Sequence, residues 1–333
     1  MICFTSDTSR YFLLGILIKR TKGLFGASNE IRVKYRLTIE FWVIIYSMAK
    51  DILDIGGFTI LRRIGTGARS TIYLAADEVD GTKVALKRVI FQKPEDSRIF
   101  EQVDTEYKVA QQIDNPCVRK CYELRKIRSM FKVREMLLSM EYFDGKNLED
   151  CPTLSLGDVL LVFRMVASGL NAMHQHGFVH CDIKPNNILM DKSGSIKIID
   201  LGQSCKIGTV KQRIQGTPDY IAPEQVKRRP LGPKTDIFNL GATMYWALTG
   251  KHAPTLILKK NKLGLPVTEP RRAPHEIKKG LPIGISKLVM DCIENDPVKR
   301  PSNMMAVTSR LDLMVHSIFG GKIKTNKNAS HNN

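Results

Sequence analysis

Two aspartates, Asp182 and Asp200, bracket a short stretch crowded with residue types suited to metal and proton chemistry. Between them stand Lys184 and Asn187, then an apolar run (Ile188, Leu189, Met190) and a second one marked by Ile196, Ile198 and Ile199. Asp191, Lys192, Ser193 and Gly194 separate the runs as a turn sequence, with glycine where positive φ is needed. The pattern predicts two short strands folded back on each other, which brings Asp200 beside Asn187. A carboxylate and an amide oxygen placed together suit a hard cation such as Mg2+, which takes oxygen ligands and completes its shell with phosphate oxygens and water. Asp182 stays free of the metal and able to accept a proton. A plain hairpin with solvated polar turns would account for the same residues, so the surrounding elements must decide.

Those elements are legible from Phe58 onward. Residues 58–65 read as a strand entering a turn that holds Gly65 and Gly67. Glycines there let a hairpin lie close over phosphates with backbone N–H groups facing them. Residues 71–76 and 83–89 read as the next two strands, the latter carrying Ala85 and Lys87 on one face. Ile99, Val103, Tyr107 and Ala110 recur at helical spacing, and Asn115-Pro116 is expected to end that helix. Residues 122–128 and 133–142 supply two further strands, so a five-stranded sheet with one helix is complete by about residue 143. Asp144-Gly145 signals a connector. Beyond it the pattern is mainly helical. Val159, Leu160, Phe163, Val166, Ala167, Leu170 and Met173 form one stripe closed by Gly177, and residues 236–248 and 283–293 give two more helices.

Composition bounds the remaining questions. A chain of 333 residues with 43% apolar content can bury a large core. The net charge of +18 suits anionic lipid or acidic protein partners, or simply a basic soluble protein. The basic residues lack aromatic interleaving, so no nucleic-acid site is inferred. Seven scattered cysteines fit reduced thiols in a cytoplasmic protein better than a disulfide framework or a zinc site. Residues 1–47 form an extension of different character. Its apolar run at residues 11–18 is far short of the ~20 residues a spanning helix needs. One reading starts translation at Met48; the alternative makes residues 1–47 a membrane-surface segment. The polar, basic residues 316–333 are expected to be disordered.

These motifs resemble the protein kinases. The family's H-R-D-x-K-x-x-N reads His180-Cys181-Asp182-Ile183-Lys184-Pro185-Asn186-Asn187, D-F-G reads Asp200-Leu201-Gly202, and V-A-I-K reads Val84-Ala85-Leu86-Lys87. Gly216-Thr217-Pro218-Asp219-Tyr220-Ile221-Ala222-Pro223-Glu224 resembles the end of an activation segment. The forms are most similar to bacterial eukaryotic-like Ser/Thr kinases, and the likeness spans about residues 58 to 312.

The resemblance implies an α+β, two-lobed fold. A small lobe over 58–143 holds the five-stranded antiparallel sheet and one main helix, and a larger, mainly helical lobe covers 144–315. It implies ATP and Mg2+ as ligands and transfer of the γ-phosphate to a protein Ser or Thr, with autophosphorylation and a signalling role. Asp182 would be the base and Lys184 would stabilise the transferred group. Asn187 and Asp200 would hold the metal, and Lys87 would reach the α/β-phosphates with Glu106 fixing it. Glu101 is the alternative partner for Lys87. Ile64, Gly65, Gly67, Ile72, Ala85 and Leu189 would surround the nucleotide, with Met140 behind it and backbone groups of Glu141 and Phe143 bonding adenine. Glu224 would pair with Arg300, and Asp236 would hold the catalytic loop. Two departures stand out: the family's third loop glycine is Ser70, and the arginine before the catalytic aspartate is Cys181. Without that arginine a phosphate at Thr209 loses its usual partner, so activity should depend little on phosphorylation there. The alternatives to an enzyme are a catalytically weak scaffold and a membrane-surface adaptor.

Overall fold

The structure is a computed structural model that describes residues 54–329, apart from 68, 152–153, 258, 261–265 and 268–269. The chain divides into two units after Ile55. The extension expected over residues 1–47 lies outside the described residues.

Five strands form an antiparallel sheet in the order β1-β2-β3-β5-β4. They are β1 (Phe58–Thr66), β2 (Ser70–Asp77), β3 (Lys83–Ile90), β4 (Cys121–Ser129) and β5 (Lys132–Glu141). β3 lies between β2 and β5, and Val84, Ala85 and Leu86 are consecutively buried because both faces of that strand are covered. Helix α1 (Ser97–Ala110) turns Phe100, Val103, Glu106, Val109 and Ala110 inward. Glu106 is therefore a charge set in an apolar stripe, a position that costs several kcal/mol unless the charge is paired. The helix stops before the expected Asn115-Pro116. Gln112 N–H bonds the Val109 carbonyl and Ile113 N–H the Ala110 carbonyl, a tighter winding that tucks Ile113 into the core.

The second lobe is mainly helical: α2 (Leu156–Gln175), α3 (Pro233–Thr249), α4 (Ile283–Cys292) and α5 (Met304–Ala329). Ser155 caps α2 through a reciprocal bond with Asp158, and Gly177 at φ +80° reverses the chain at its end. Among the described helices α2 alone is long and apolar enough to cross a membrane, but its apolar stripe packs against α3 and α5 in the core. Gly241 of α3 lies so close to α4 that a β-carbon would come within 2.5 Å of Cys292. Helix α5 continues through residues 316–329, where composition gives an expectation of disorder. Its first turns are anchored by buried Met304, Val307 and Leu311, so later residues need only propagate a helix already nucleated.

Between the lobes lie strands that carry the polar cluster. β6 (Lys146–Asn147), β8 (Ile188–Met190) and β9 (Ile196–Ile198) form one small sheet, and β7 (Phe178–Val179) pairs with β10 (Cys205–Lys206) in another. The β8–β9 turn places Gly194 at φ +84°. The Ile199 N–H bonds the Asn187 carbonyl at 2.9 Å, which sets Asp200 next to Asn187.

Candidate active site

Strand β3 and helix α1 deliver the first charge pair. Lys87 Nζ lies 2.7 Å from Glu106 Oε2 and 3.7 Å from Asp200 Oδ1, while Glu101 sits on the exposed face of α1. Burial alone would lower the Lys87 pKa. The Glu106 and Asp200 carboxylates outweigh it and hold the ammonium above its ordinary value. Glu106 has a second partner that the sequence reading missed: Arg119, itself buried, donates to Glu106 Oε1 at 3.3 Å. The Arg119 backbone N–H bonds the Ile198 carbonyl at 3.0 Å, so this guanidinium links α1 to the strand that leads into Asp200.

Asp200 has left-handed backbone geometry, φ +62° and ψ +63°. Its side chain keeps 44% of its surface exposed despite its place in the cleft. The surrounding protein, by displacing part of its water, pushes its pKa up, but Lys87 foremost, with Lys184 and Arg119, holds the carboxyl below the usual range. Asn187 donates Nδ2 to the Asp182 carbonyl at 2.8 Å, which leaves its amide oxygen as the atom able to bind a cation. An ionised, accessible carboxylate beside an amide oxygen fits Mg2+, with substrate oxygens and water completing the shell.

Asp182 is buried and sits in a ring of short contacts. Thr217 Oγ1 donates to Asp182 Oδ1 at 2.9 Å, Lys184 Nζ lies 3.1 Å from Oδ2, and Lys184 Nζ donates to Thr217 Oγ1 at 2.8 Å. The loop beneath is fixed by Asp236, fully buried in α3. It accepts from the backbone N–H of His180 at 2.9 Å and of Cys181 at 2.8 Å, and bonds His174 at 2.8 Å. Burial would raise the Asp236 pKa, yet the His174 bond and the loop amides hold it low. His180 Nε2 meets the Ile199 carbonyl at 3.2 Å, and its Nδ1 meets the Asp182 N–H at 3.2 Å. A carbonyl can only accept and an N–H can only donate, so these partners select the Nε2–H tautomer.

The expected nucleotide-facing residues fall on or beside β1, β2, β3 and β8 and around the end of β5. Gly65 pairs with Ile72 across β1 and β2, and Ala85 pairs with Met140 across β3 and β5. The Gly67 N–H closes the loop on the Ser70 carbonyl at 2.8 Å. Ile64 falls at a register shift of β1 and is 36% exposed; Leu189 lies on β8. Phe143 accepts from the Gly145 N–H at 2.9 Å, which turns the chain away after β5. Glu141 is held by Lys197 of β9 at 2.7 Å, a strap between the lobes that the sequence did not signal.

Residues 58–311 match the protein kinase domain. This chain belongs to the protein kinase family. Among curated proteins this kinase chain is 27% identical over 267 residues to a probable serine/threonine-protein kinase of Clostridium acetobutylicum, covering 76% of the chain and 39% of that protein. Serine/threonine-protein kinase PknD of Chlamydia abortus is 26% identical over 294 residues, 77% of the chain and 30% of that protein. Serine/threonine-protein kinase PrkC of Bacillus subtilis is 30% identical over 204 residues, 59% of the chain and 31% of that protein. The kinase chain thus spans well under half the length of these relatives. In kinase terms the Lys87–Glu106 pair joins sheet to helix, and Arg300 forks onto Glu224 behind the activation segment at 2.7 and 2.9 Å.

Proposed function

We propose that this chain transfers the γ-phosphate of ATP to serine or threonine hydroxyls of protein substrates and of itself, in signalling. The observation that carries this reading is the Asp182–Lys184–Thr217 ring, a buried carboxylate already accepting an aliphatic hydroxyl at 2.9 Å with an ammonium beside it. Kinase family membership and the printed names of the relatives support the Ser/Thr class.

In this mechanism Asp182 orients the substrate hydroxyl and takes its proton, and Lys184 offsets negative charge on the transferred group. Lys87, locked by Glu106, holds the α/β-phosphates, and the small lobe over 58–143 closes on the large lobe over 144–315 around the nucleotide. Ile64, Ile72, Ala85 and Leu189 enclose the base, Gly65 and Gly67 cover the phosphates, and Glu141 and Phe143 bond adenine. Asn187 and Asp200 hold Mg2+, which when bound neutralises phosphate charge. We place the protein in the cytoplasm, with peripheral contact to anionic lipid as the use of its +18 charge; flotation with anionic and neutral liposomes tests that contact.

Incubation with radiolabelled ATP, Mg2+ and a generic basic protein, followed by phosphoamino-acid analysis, should give phosphoserine and phosphothreonine. Incorporation no higher than that of an Asp182→Ala control would defeat the proposal.

Two further outcomes are expected. Asp200→Asn should remove most of the Mg2+ dependence of ATP binding, because an amide offers a dipole where the cation needs charge. Nucleotide titrations with and without Mg2+ measure this, and unchanged Mg2+ dependence would remove Asp200 as a ligand. Thr209→Ala should keep its initial rate after phosphatase treatment, since Cys181 cannot anchor a phosphate there. A tenfold loss, about 1.4 kcal/mol of barrier, would contradict this.

A further inference from the structure

Cys181 and Cys205 form a thiol pair across the most sensitive junction of the fold. Their sulfurs lie 3.8 Å apart. Cys181 is fully buried, directly precedes Asp182, and has a strained backbone at φ +67°. Its N–H is held by Asp236 at 2.8 Å and its carbonyl by Gln225 Nε2 at 2.7 Å. Cys205 is half-buried on β10, five residues past Asp200, and pairs with Val179 of β7. The two sulfurs sit in a small apolar cluster with Val179 and Leu231, separate from the main core.

We propose that Cys205 is a peroxide-modified site resolved by Cys181 as a disulfide, and that this bond switches phosphoryl transfer off. Formation of the bond is independent of the kinase reading; only its effect on rate rests on that reading. Among the described residues this is the only pair of thiols in hydrogen-bond contact. The two sulfurs differ in the sense the chemistry needs. The bond from Cys181, opposed by burial and helped by Lys211 and the Thr209 hydroxyl, holds the Cys205 thiol below its ordinary pKa. The same bond, burial and the Asp236 carboxylate push Cys181 up. Cys205 is thus the more accessible thiol and the readier thiolate.

The steps balance. The Cys205 thiolate attacks one oxygen of hydrogen peroxide. An S–O bond forms, the O–O bond breaks, and the departing hydroxide takes a proton to leave as water. Cys181 then attacks the sulfenic sulfur. The S–S bond forms, the S–O bond breaks, and its oxygen leaves as a second water carrying the Cys181 proton. Two thiols are oxidised and one peroxide is reduced. A cellular or added dithiol reverses the bond by exchange, as expected for a transient disulfide in a reducing compartment.

Closure must shorten the sulfur separation to about 2.05 Å. Cys181 directly precedes Asp182, so a shift of its backbone toward Cys205 displaces Asp182, whose carboxylate is set by contacts of 2.9 Å to Thr217 and 3.1 Å to Lys184. Misplacing a reacting group by about 1 Å can cost about 10²-fold in rate.

The experiment treats the full chain with hydrogen peroxide, blocks free thiols, and maps peptides by mass spectrometry alongside the kinase assay. The expected result is a Cys181–Cys205 linked peptide and a rate loss of about 10²-fold, with dithiothreitol removing the link and restoring the rate. Cys205→Ser should keep its basal rate and melting temperature, form no link and resist peroxide; Cys205→Ala serves if serine perturbs the fold. Absence of the linked peptide, or inactivation that persists in Cys205→Ser, overturns the proposal. A linked peptide without loss of rate overturns the switch. If the reduced protein shows no kinase activity, the functional reading fails, and the linked peptide still decides the modification site.

Discussion

Asp182→Ala and Asp182→Asn should each lower kcat by about 10²–10⁴-fold, the range a positioned general base contributes, with little change in the KM for ATP. The asparagine variant is the sharper test. Its amide oxygen can still accept from Thr217 Oγ1, which donates to Asp182 at 2.9 Å, and it keeps nearly the same volume in a buried site. What it cannot do is take a proton or oppose the Lys184 charge now 3.1 Å away. Lys184 is only partly buried, at 22% side-chain exposure, so it can turn toward water when its partner is lost. The fold should therefore survive, and thermal melts run beside the rate assays will show whether it does. A variant that melts like the wild type and turns over like it would remove Asp182 from the chemistry.

How much of this site could be read from the chain depends on how local each relation is. Asn187 and Asp200 were legible together because a single hairpin joins them, and Asp182 stands only five residues before Asn187. The five strands followed from apolar runs broken by turn residues, and Lys87 from its strand context. Lys87 and Glu106 are 19 positions apart and meet only because α1 docks on β3, so family likeness rather than spacing suggested that pair. Arg119 gave no signal. A basic residue between Val118 and Lys120 reads as solvated, and its burial comes from the Ile198 and Glu106 contacts made by two other elements. Lys197 was hidden in the same way, because its Glu141 partner belongs to the other lobe. The helix over residues 316–329 ran against composition, which reports how much apolar surface a segment can bury and says nothing of a neighbouring nucleus it can extend.

Arg300→Met should destabilise the protein more than a typical single substitution, by about 3–5 kcal/mol. The guanidinium is fully buried, and Glu224 is nearly so at 7% side-chain exposure. Arg300 forks onto both Glu224 oxygens at 2.7 and 2.9 Å, and its remaining donors meet the carbonyls of Glu294 and Lys234 at 2.7 Å. It also stacks 5.0 Å from the centre of the Phe238 ring. Removing it strands a carboxylate where no solvent can replace the lost bonds. At about 2–4 °C per kcal/mol for a domain of this size, the melting temperature should fall by roughly 6–20 °C. Activity should fall with it. Glu224 lies in the one-turn helix Pro223–Val226, next to Gln225, which bonds the Cys181 carbonyl at 2.7 Å and so supports the loop that carries Asp182. Arg300→Lys keeps the charge but loses the fork, and should fall between wild type and Arg300→Met. The double variant Glu224→Leu/Arg300→Met separates lost pairing from lost packing. If the stranded charge dominates, the pair should be more stable than Arg300→Met alone, because no charge is left buried. Thermal melts of the four proteins decide the matter, and a double variant less stable than Arg300→Met would show that packing around Phe238, rather than the ion pair, is what this arginine supplies.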